Sequence, residues 1–482
     1  MKNTTNPLNQ NPVYSHKTRV ILSSFKSISL LLFLSLLLQN CGIIMSLLPT
    51  GGKKDNKFLL LPLALQGGTR GTTNNATGTG SGTGTGSTTG TGNAPPAGSP
   101  TASPAAGHYN TPQTINFSTT ASGGVVRCTT NGTDPTSATP TWTPTHIWFL
   151  AGLDIKCGTY VNGALTGTIQ TFTYSYPPLK SGQTSCWDDG GNSISCSGTG
   201  QDGETQNGVE RSYTNNGDGT ITDNATGLVW QRCSVGQSGA SCGTGSATGM
   251  TWATATGTTC TSLTTGGRTW RLPTSIELGT LPDYGTWNPA INTGFFPNTV
   301  ANGYWSSTTY APGTSSAWVV YFADGVVGTF GKTGNYHVHC VSGEMKSSTP
   351  FTDNGDGTIK DKATGLVWQK CSVGQGNDAT CSGSASVMQW STALTPCSGL
   401  TLAGKTWRLP SVKELQSIVD KTLSTSPSIN TSIFPNTVAG VYWSSTTYAP
   451  NTTVAWLVSF IVGSVSYSGK GGYSFVRCVS GP

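Results

Sequence analysis

The stretch NNGDGTITDNATGLVWQRC, Asn215 to Cys233, returns as DNGDGTIKDKATGLVWQKC, Asp353 to Cys371. Alternating Asn or Asp with Gly serves two purposes in proteins. It supplies oxygens for calcium, or it supplies the positive φ of tight turns. An EF-hand loop needs oxygens at positions 1, 3 and 5, Gly at 6 and a bidentate Glu at 12. With Gly219 at position 6, position 1 is Thr214 and position 12 is Ala225; the second copy places Thr352 and Ala363 there. Both ends fail in both copies. The stretch therefore reads as two turns flanking a short strand, leading to a core Trp at 230 or 368.

The repetition extends well beyond this stretch. WQRC at Trp230 matches WQKC at Trp368, and TWRLP at Thr269 matches TWRLP at Thr406. YWSSTTYAP recurs at Tyr304 and Tyr442, and CVSG at Cys340 and Cys478, always at an offset of 137 or 138 residues. A period this long predicts two domains, each with its own core, and not a solenoid. They span residues 178–346 and 347–482. Inside each, TSIE (Thr274 to Glu277) and SVKE (Ser411 to Glu414) are capping boxes that start helices. Leu415, Ile418 and Val419 share one face of the second helix. A preamble, CWDDGGNSISC from Cys186 to Cys196, reads as a stapled hairpin.

The N-terminus reads as an export signal. Lys17, Arg19 and Lys26 precede the apolar run LLLFLSLLL, Leu30 to Leu38. The run is too short to span a bilayer comfortably. LQNC, ending at Cys41, resembles a bacterial lipobox, although Asn40 stands where a small residue is usual. Residues 1–40 are then a signal peptide. Lipid on Cys41 would hold the chain to a membrane, and the expected location is the outer membrane, facing outward. Residues 41–100 hold a lipid-proximal segment and a Gly/Thr-rich stretch with no hydrophobic period, expected to be a disordered tether. Setting Cys41 aside leaves twelve of the 13 cysteines, an even number suited to six disulfides in an oxidising compartment.

Composition excludes some functions. Only 10% of the 482 residues are charged, and a formal +6 is spread thinly, so nucleic acid is not an expected partner. Residues 101–176 alternate as strands do, with an Asn-Gly turn in TTNGTDPT. Gly107, Tyr109, Pro112, Gln113 and Thr114, followed by Thr130, Gly132, Thr133, Pro135 and Thr136, resemble the chitobiase/β-hexosaminidase C-terminal domain. That resemblance implies an all-β immunoglobulin-like sandwich. Cys128 and Cys157 are the only cysteines of this module and are expected to pair.

In the repeats, the set Asn-Gly-Asp-Gly-Thr, Gly-Leu-Val-Trp, Trp-Arg-Leu-Pro, Tyr-Trp-Ser-Ser, Ala-Trp and Arg-Cys-Val resembles the Lcl_C family, named after the C-terminal domain of a collagen-like adhesin. The resemblance implies two α+β C-type-lectin-like domains with close termini, and a link to sulfated polysaccharide. It also implies the pairings Cys260–Cys340 and Cys397–Cys478, leaving Cys233–Cys242 and Cys371–Cys381 as local bridges. Four cysteines alone permit three connectivities.

Candidate chemistry is sparse. Glu277 and Glu414 are explained by capping. His337 and His339 have Phe475 and Arg477 as their counterparts in the second copy, so they do not form a repeated zinc site. GSVSYSGKGG has five residues between Gly463 and Gly469 where a phosphate loop has four. Neither metal nor cofactor is expected. Five Trp pairs (230/368, 252/390, 270/407, 305/443, 318/456) read mainly as core. Tyr304, Trp305, Tyr442 and Trp443 join rings to hydroxyls and so become candidates for stacking on sugars. Trp287 has no counterpart and is expected to be exposed. From Tyr213 to Pro350 five Lys and Arg meet six acids, a net −1; from Phe351 to Pro482 nine meet six, a net +3. Lys405 and Lys413 are therefore candidates for holding a polyanion. The expected function is adhesin-like binding of polysaccharide or host matrix, not catalysis. An envelope assembly role is the alternative, and a formylglycine-generating-type enzyme the least favoured reading.

Overall fold

The computed structural model describes residues 96–111, 113–143, 145–147, 152–345 and 351–481. The expected export signal, Cys41 and the Gly/Thr-rich stretch as far as residue 95 lie outside the described residues. The chain that follows is mostly β, with helices of at most six residues, the longest being Val412–Ser417. This is what a Gly- and Thr-rich sequence with few long polar side chains allows.

The first module packs two sheets on one core. Thr101–Ser103, Gln113–Ser118 and Thr145–Ile147 form one sheet; Gly107–His108, Ala164–Ser175, Leu153–Val161 and Val125–Thr129 form the other. Ile115, Ile155, Cys157 and Tyr174 are fully buried between them. The Cys128–Cys157 bridge ties two neighbouring strands of the second sheet.

Each repeat opens and closes on the same small sheet. In the first, Thr220–Asp223 pairs with Val229–Gln231, which pairs with the last strand, Val341–Ser342. The second repeats this with Thr358–Asp361, Val367–Gln369 and Val479–Ser480. Closing each domain on its own ends explains why GLVW and CVSG recur together. The bridges Cys260–Cys340 and Cys397–Cys478 fasten each helical region to the closing segment, and Cys233–Cys242, Cys371–Cys381 and Cys186–Cys196 close short loops. These are the expected pairs.

The opening stretch forms the turns its residues predict. Asp218 Oδ1 accepts from the Thr220 amide at 3.0 Å, and Asp356 Oδ1 accepts from the Thr358 amide at 3.0 Å. Gly217 and Gly219 hold φ of 80° and 86°, so a side chain at either would be strained. The next carboxylates, Asp223 and Asp361, are buried and accept from the amides of Ala225 and Thr226, and of Ala363 and Thr364. Among the described residues no cluster of three His, Cys, Asp or Glu comes together to hold a metal.

The two repeats are not separate beads. A large sheet runs through both, in the order Gly303–Thr309, Ser316–Tyr321, Val327–Gly331, then Val465–Gly469, Val454–Ser459, Val441–Thr447. Val327 meets Val465 at the junction. Beneath it one hydrophobic cluster draws on both copies: Leu278, Tyr284 and Trp318 from the first, Leu415, Ile418 and Trp456 from the second. Tyr284 meets Trp456 edge-on at 4.8 Å between ring centroids. Burying rings of this size across a shared boundary joins the repeats energetically as well as covalently.

Candidate functional site

The structure corrects the aromatic candidates first. Tyr304, Trp305, Tyr442 and Trp443 are all fully buried. They sit in a sheet covered on both faces, so neighbouring residues are buried together where simple alternation would expose one. Their polar atoms are satisfied inside: Trp305 Nε1 donates to the Met250 carbonyl at 2.8 Å, Trp443 Nε1 to that of Met388 at 2.9 Å. The Tyr304 hydroxyl bonds Ser234 and the Tyr442 hydroxyl bonds Ser372. The following Ser306 and Ser444 donate across the sheet to the carbonyls of Trp318 and Trp456. No ring face remains for a sugar. Trp287, by contrast, is 54% exposed.

Both capping boxes form, and each Glu has a second duty. Arg271 grips Glu277 through both Nη atoms at 2.7 and 2.6 Å, and Arg408 grips Glu414 at the same distances. The Arg of each TWRLP thus locks the following helix start. The six-residue Arg–Glu spacing, present twice, was the sequence signal for this pair. Hydrogen bonds from Arg271 and the Thr274 amide hold Glu277 below the usual carboxylate range against the opposing effect of burial.

The lysine candidates separate. Lys405 is partly exposed, with no carboxylate partner among the described residues. Lys413 is buried, reaches across the repeat boundary and donates to the Gly279 carbonyl, where the first repeat's helix ends. This corrects its reading as a surface charge, since much of its hydrogen-bonding role is to satisfy a helix terminus. Lys421, which sequence reasoning did not single out as a site, lies 4.6 Å from the ring centroid of Trp318 in the other repeat. Its counterpart in the first repeat is Tyr284, which covers Trp456 instead.

Lys413 and Lys421 line one cleft of about 170 Å³ between the repeats. Ser275, Thr280 and Ser417 bring hydroxyls to it, and Ile276 and Val419 bring apolar surface. Among the described residues neither lysine lies in ion-pair contact with a carboxylate. Loss of water pushes the Lys421 amine down to about 8, and burial holds Lys413 well below the usual lysine range. An anion entering the cleft would restore what burial removes. Asp361 also lines the cleft, its carboxylate taken up by the amides of Ala363 and Thr364 and by the Thr364 hydroxyl, so the two lysines remain the groups open to a small polar anion.

Fold and cleft together define a class: a duplicated, disulfide-bridged, β-rich body preceded by a two-sheet β module. Comparison with known families makes this specific. The model of the Lcl C-terminal domain matches residues 219–342 and again 357–480, about half of the chain. That of the chitobiase/beta-hexosaminidase C-terminal domain matches residues 104–169. The chain belongs to the Lcl C-terminal domain family. No curated protein and no solved structure matches it. Among the described residues no helix is long and apolar enough to cross a membrane.

Proposed function

We propose that this protein is an outward-facing, lipid-anchored binding protein of adhesin type whose double repeat holds an acidic polysaccharide. The carrying observation is the cleft between the repeats, with Lys413 and Lys421 lining it and no carboxylate paired to either among the described residues. One sulfate or carboxylate of a sugar chain is the natural complement. The neighbouring hydroxyls supply bonds to ring oxygens, and the net +3 of the second repeat draws the rest of the polymer toward that side. We read the leading module as an immunoglobulin-like spacer and the repeats as C-type-lectin-like. The lipobox-like LQNC and the Gly/Thr-rich stretch support the anchor and tether. Binding is favoured over catalysis by the cysteines: the enzyme reading requires a thiol, and the twelve described cysteines are all bridged.

The test is binding of the exported chain to arrays of sulfated, carboxylated and neutral glycans. Sulfated or uronic-acid polymers should bind and neutral ones should not. Lys421→Gln should weaken binding about tenfold, the scale of one lost charge-assisted hydrogen bond. Absence of binding to any acidic glycan would remove the polysaccharide reading and favour an envelope assembly role. The anchor is tested separately: Cys41→Ser should move the protein from the membrane to the soluble fraction.

A further inference from the structure

The second repeat carries a piece of the chain that the first does not. The stapled segment before the repeats, from Cys186 to the helix Asp202–Thr205, lies on the second repeat alone. Lys470 donates to the carbonyls of Trp187 and Asp188 at 3.1 and 3.0 Å while stacked 4.0 Å from the ring centroid of Trp390. Thr452 donates to the Gly191 carbonyl at 2.8 Å, and Thr446 to Asp202 Oδ2 at 2.5 Å. Just upstream, the Gln183 amide pairs with the Thr447 backbone, accepting from its N–H and donating to its carbonyl, both at 2.7 Å. This surface therefore recognises peptide: carbonyls, a side-chain amide and a carboxylate.

The first repeat has matching residues at these positions, and among the described residues no segment from outside the repeat bonds to Lys332, Thr308 or Thr309. Lys332 stands 3.9 Å from the ring centroid of Trp252, as Lys470 does over Trp390, but it donates to Thr309 of its own repeat at 3.0 Å. Lys470, Ser445, Thr446 and Thr447 are buried, whereas Lys332, Ser307, Thr308 and Thr309 are all partly exposed. Where the segment sits beside Arg408 on the second repeat, the first has an open groove of about 500 Å³ against Arg271, Thr274 and Ser307, with Glu277, held by Arg271, and Glu344 also on its wall. The two faces come from matching sequence, so the difference lies in what covers them.

Exchange of this segment between copies of the chain cannot fill this seat. Each copy carries two seats and one segment, so any exchange between copies leaves as many seats empty as before. We propose that the face of the first repeat at Lys332, Thr308 and Thr309, which follows on from the groove at Ser307, docks an acidic peptide loop of a different protein. Such a loop would bind as the second repeat binds residues 183–205: backbone carbonyls on Lys332, a carboxylate on Thr308, a side-chain amide on Thr309. The site is distinct from the cleft at Lys421 and does not depend on the polysaccharide reading.

The probe is a synthetic, disulfide-closed peptide with the sequence of residues 181–206, titrated into the full chain. The expected result is saturable one-to-one binding that protects residues 303–310 from amide hydrogen exchange. Lys332→Glu should weaken it at least about tenfold, as loss of a buried charge-assisted bond does. Thr308→Val, which removes only a hydroxyl, should also weaken it, and unchanged melting of either variant shows that the fold survives. No binding at millimolar peptide would overturn the proposal. So would binding that ignores both substitutions, or protection confined to residues 441–448, which would mean displacement of the chain's own segment. Acidic polysaccharide competing for the site through Lys332 and not Lys421 would also overturn it.

Discussion

The first and second repeats share a fold and most of their core, and they differ where one buried position is concerned. His339 in the first is Arg477 in the second. His339 stacks on Tyr304 at 5.0 Å and meets Phe296 edge-on at 5.8 Å. Burial pushes its imidazole down to about 3, so it is a neutral ring at neutral pH. Arg477 keeps its charge and donates through both Nη atoms, while its buried Nε has no partner among the described residues. It donates to the Gln369 carbonyl at 3.0 Å and to Thr437 Oγ1 at 2.7 Å, also reaches the Lys370 carbonyl, and lies 5.0 Å from the ring centroid of Phe434. One scaffold thus tolerates, at the same depth, either a neutral aromatic or a cation held through both of its Nη atoms. It would not tolerate a cation without acceptors.

Removing Arg477 should have the largest effect. Arg477→Met leaves buried carbonyls and a hydroxyl without donors, and should cost about 4 kcal/mol in urea unfolding. Arg477→His, which imports the first repeat's solution, should cost distinctly less. Equal losses for the two variants would mean that the hydrogen bonds of Arg477 matter little.

Acid should separate the repeats next. At pH 7 His339 is neutral in folded and unfolded chains alike. Below about 6.5 the unfolded chain takes a proton that the folded one refuses until about pH 3. Stability therefore falls as pH drops through that window, by about 3 kcal/mol at pH 4. The second repeat, with Arg477, lacks this loss. His339→Phe should flatten the pH dependence of urea unfolding between pH 6.5 and 4, and an unchanged slope would contradict the burial argument.

The cleft gives a smaller and opposite dependence. Lys421 loses its charge as pH rises through about 8. Binding of a sulfated polysaccharide should weaken between pH 7 and 9, by up to about the tenfold expected for Lys421→Gln. A variant lacking Lys421 should lose that pH dependence. The smallest effect belongs to the turns: Asp218→Ala or Asp356→Ala should each cost about 1 kcal/mol, and calcium should leave the melting temperature of the parent unchanged. A calcium-dependent rise would restore the metal reading of the opening stretch.

Local chemistry was legible in the sequence and burial was less so. Asp-Gly turns, the capping boxes at Thr274 and Ser411, and the local cysteine pairs depend on residues close in the chain. The YWSS strands were misread because a sheet covered on both faces buries consecutive residues, and a period of two cannot report that. Lys413 looked like surface charge because its acceptor, the Gly279 carbonyl, belongs to the other repeat. Lys421 was missed because its meaning depends on Trp318 across the same boundary. The covered face of the second repeat depends on Cys186–Thr205, and no pattern within the repeat itself records that contact.

The central claim is that two matching repeats present unequal faces because the chain covers one of them. Amide hydrogen exchange of the full protein, read by mass spectrometry, tests it directly. Residues 444–448 should exchange much more slowly than 306–310, since the Thr447 amide is bonded to Gln183 and its neighbours are buried. Gln183→Ala should bring the two rates closer. Equal protection of the two strands in the parent protein would contradict the account.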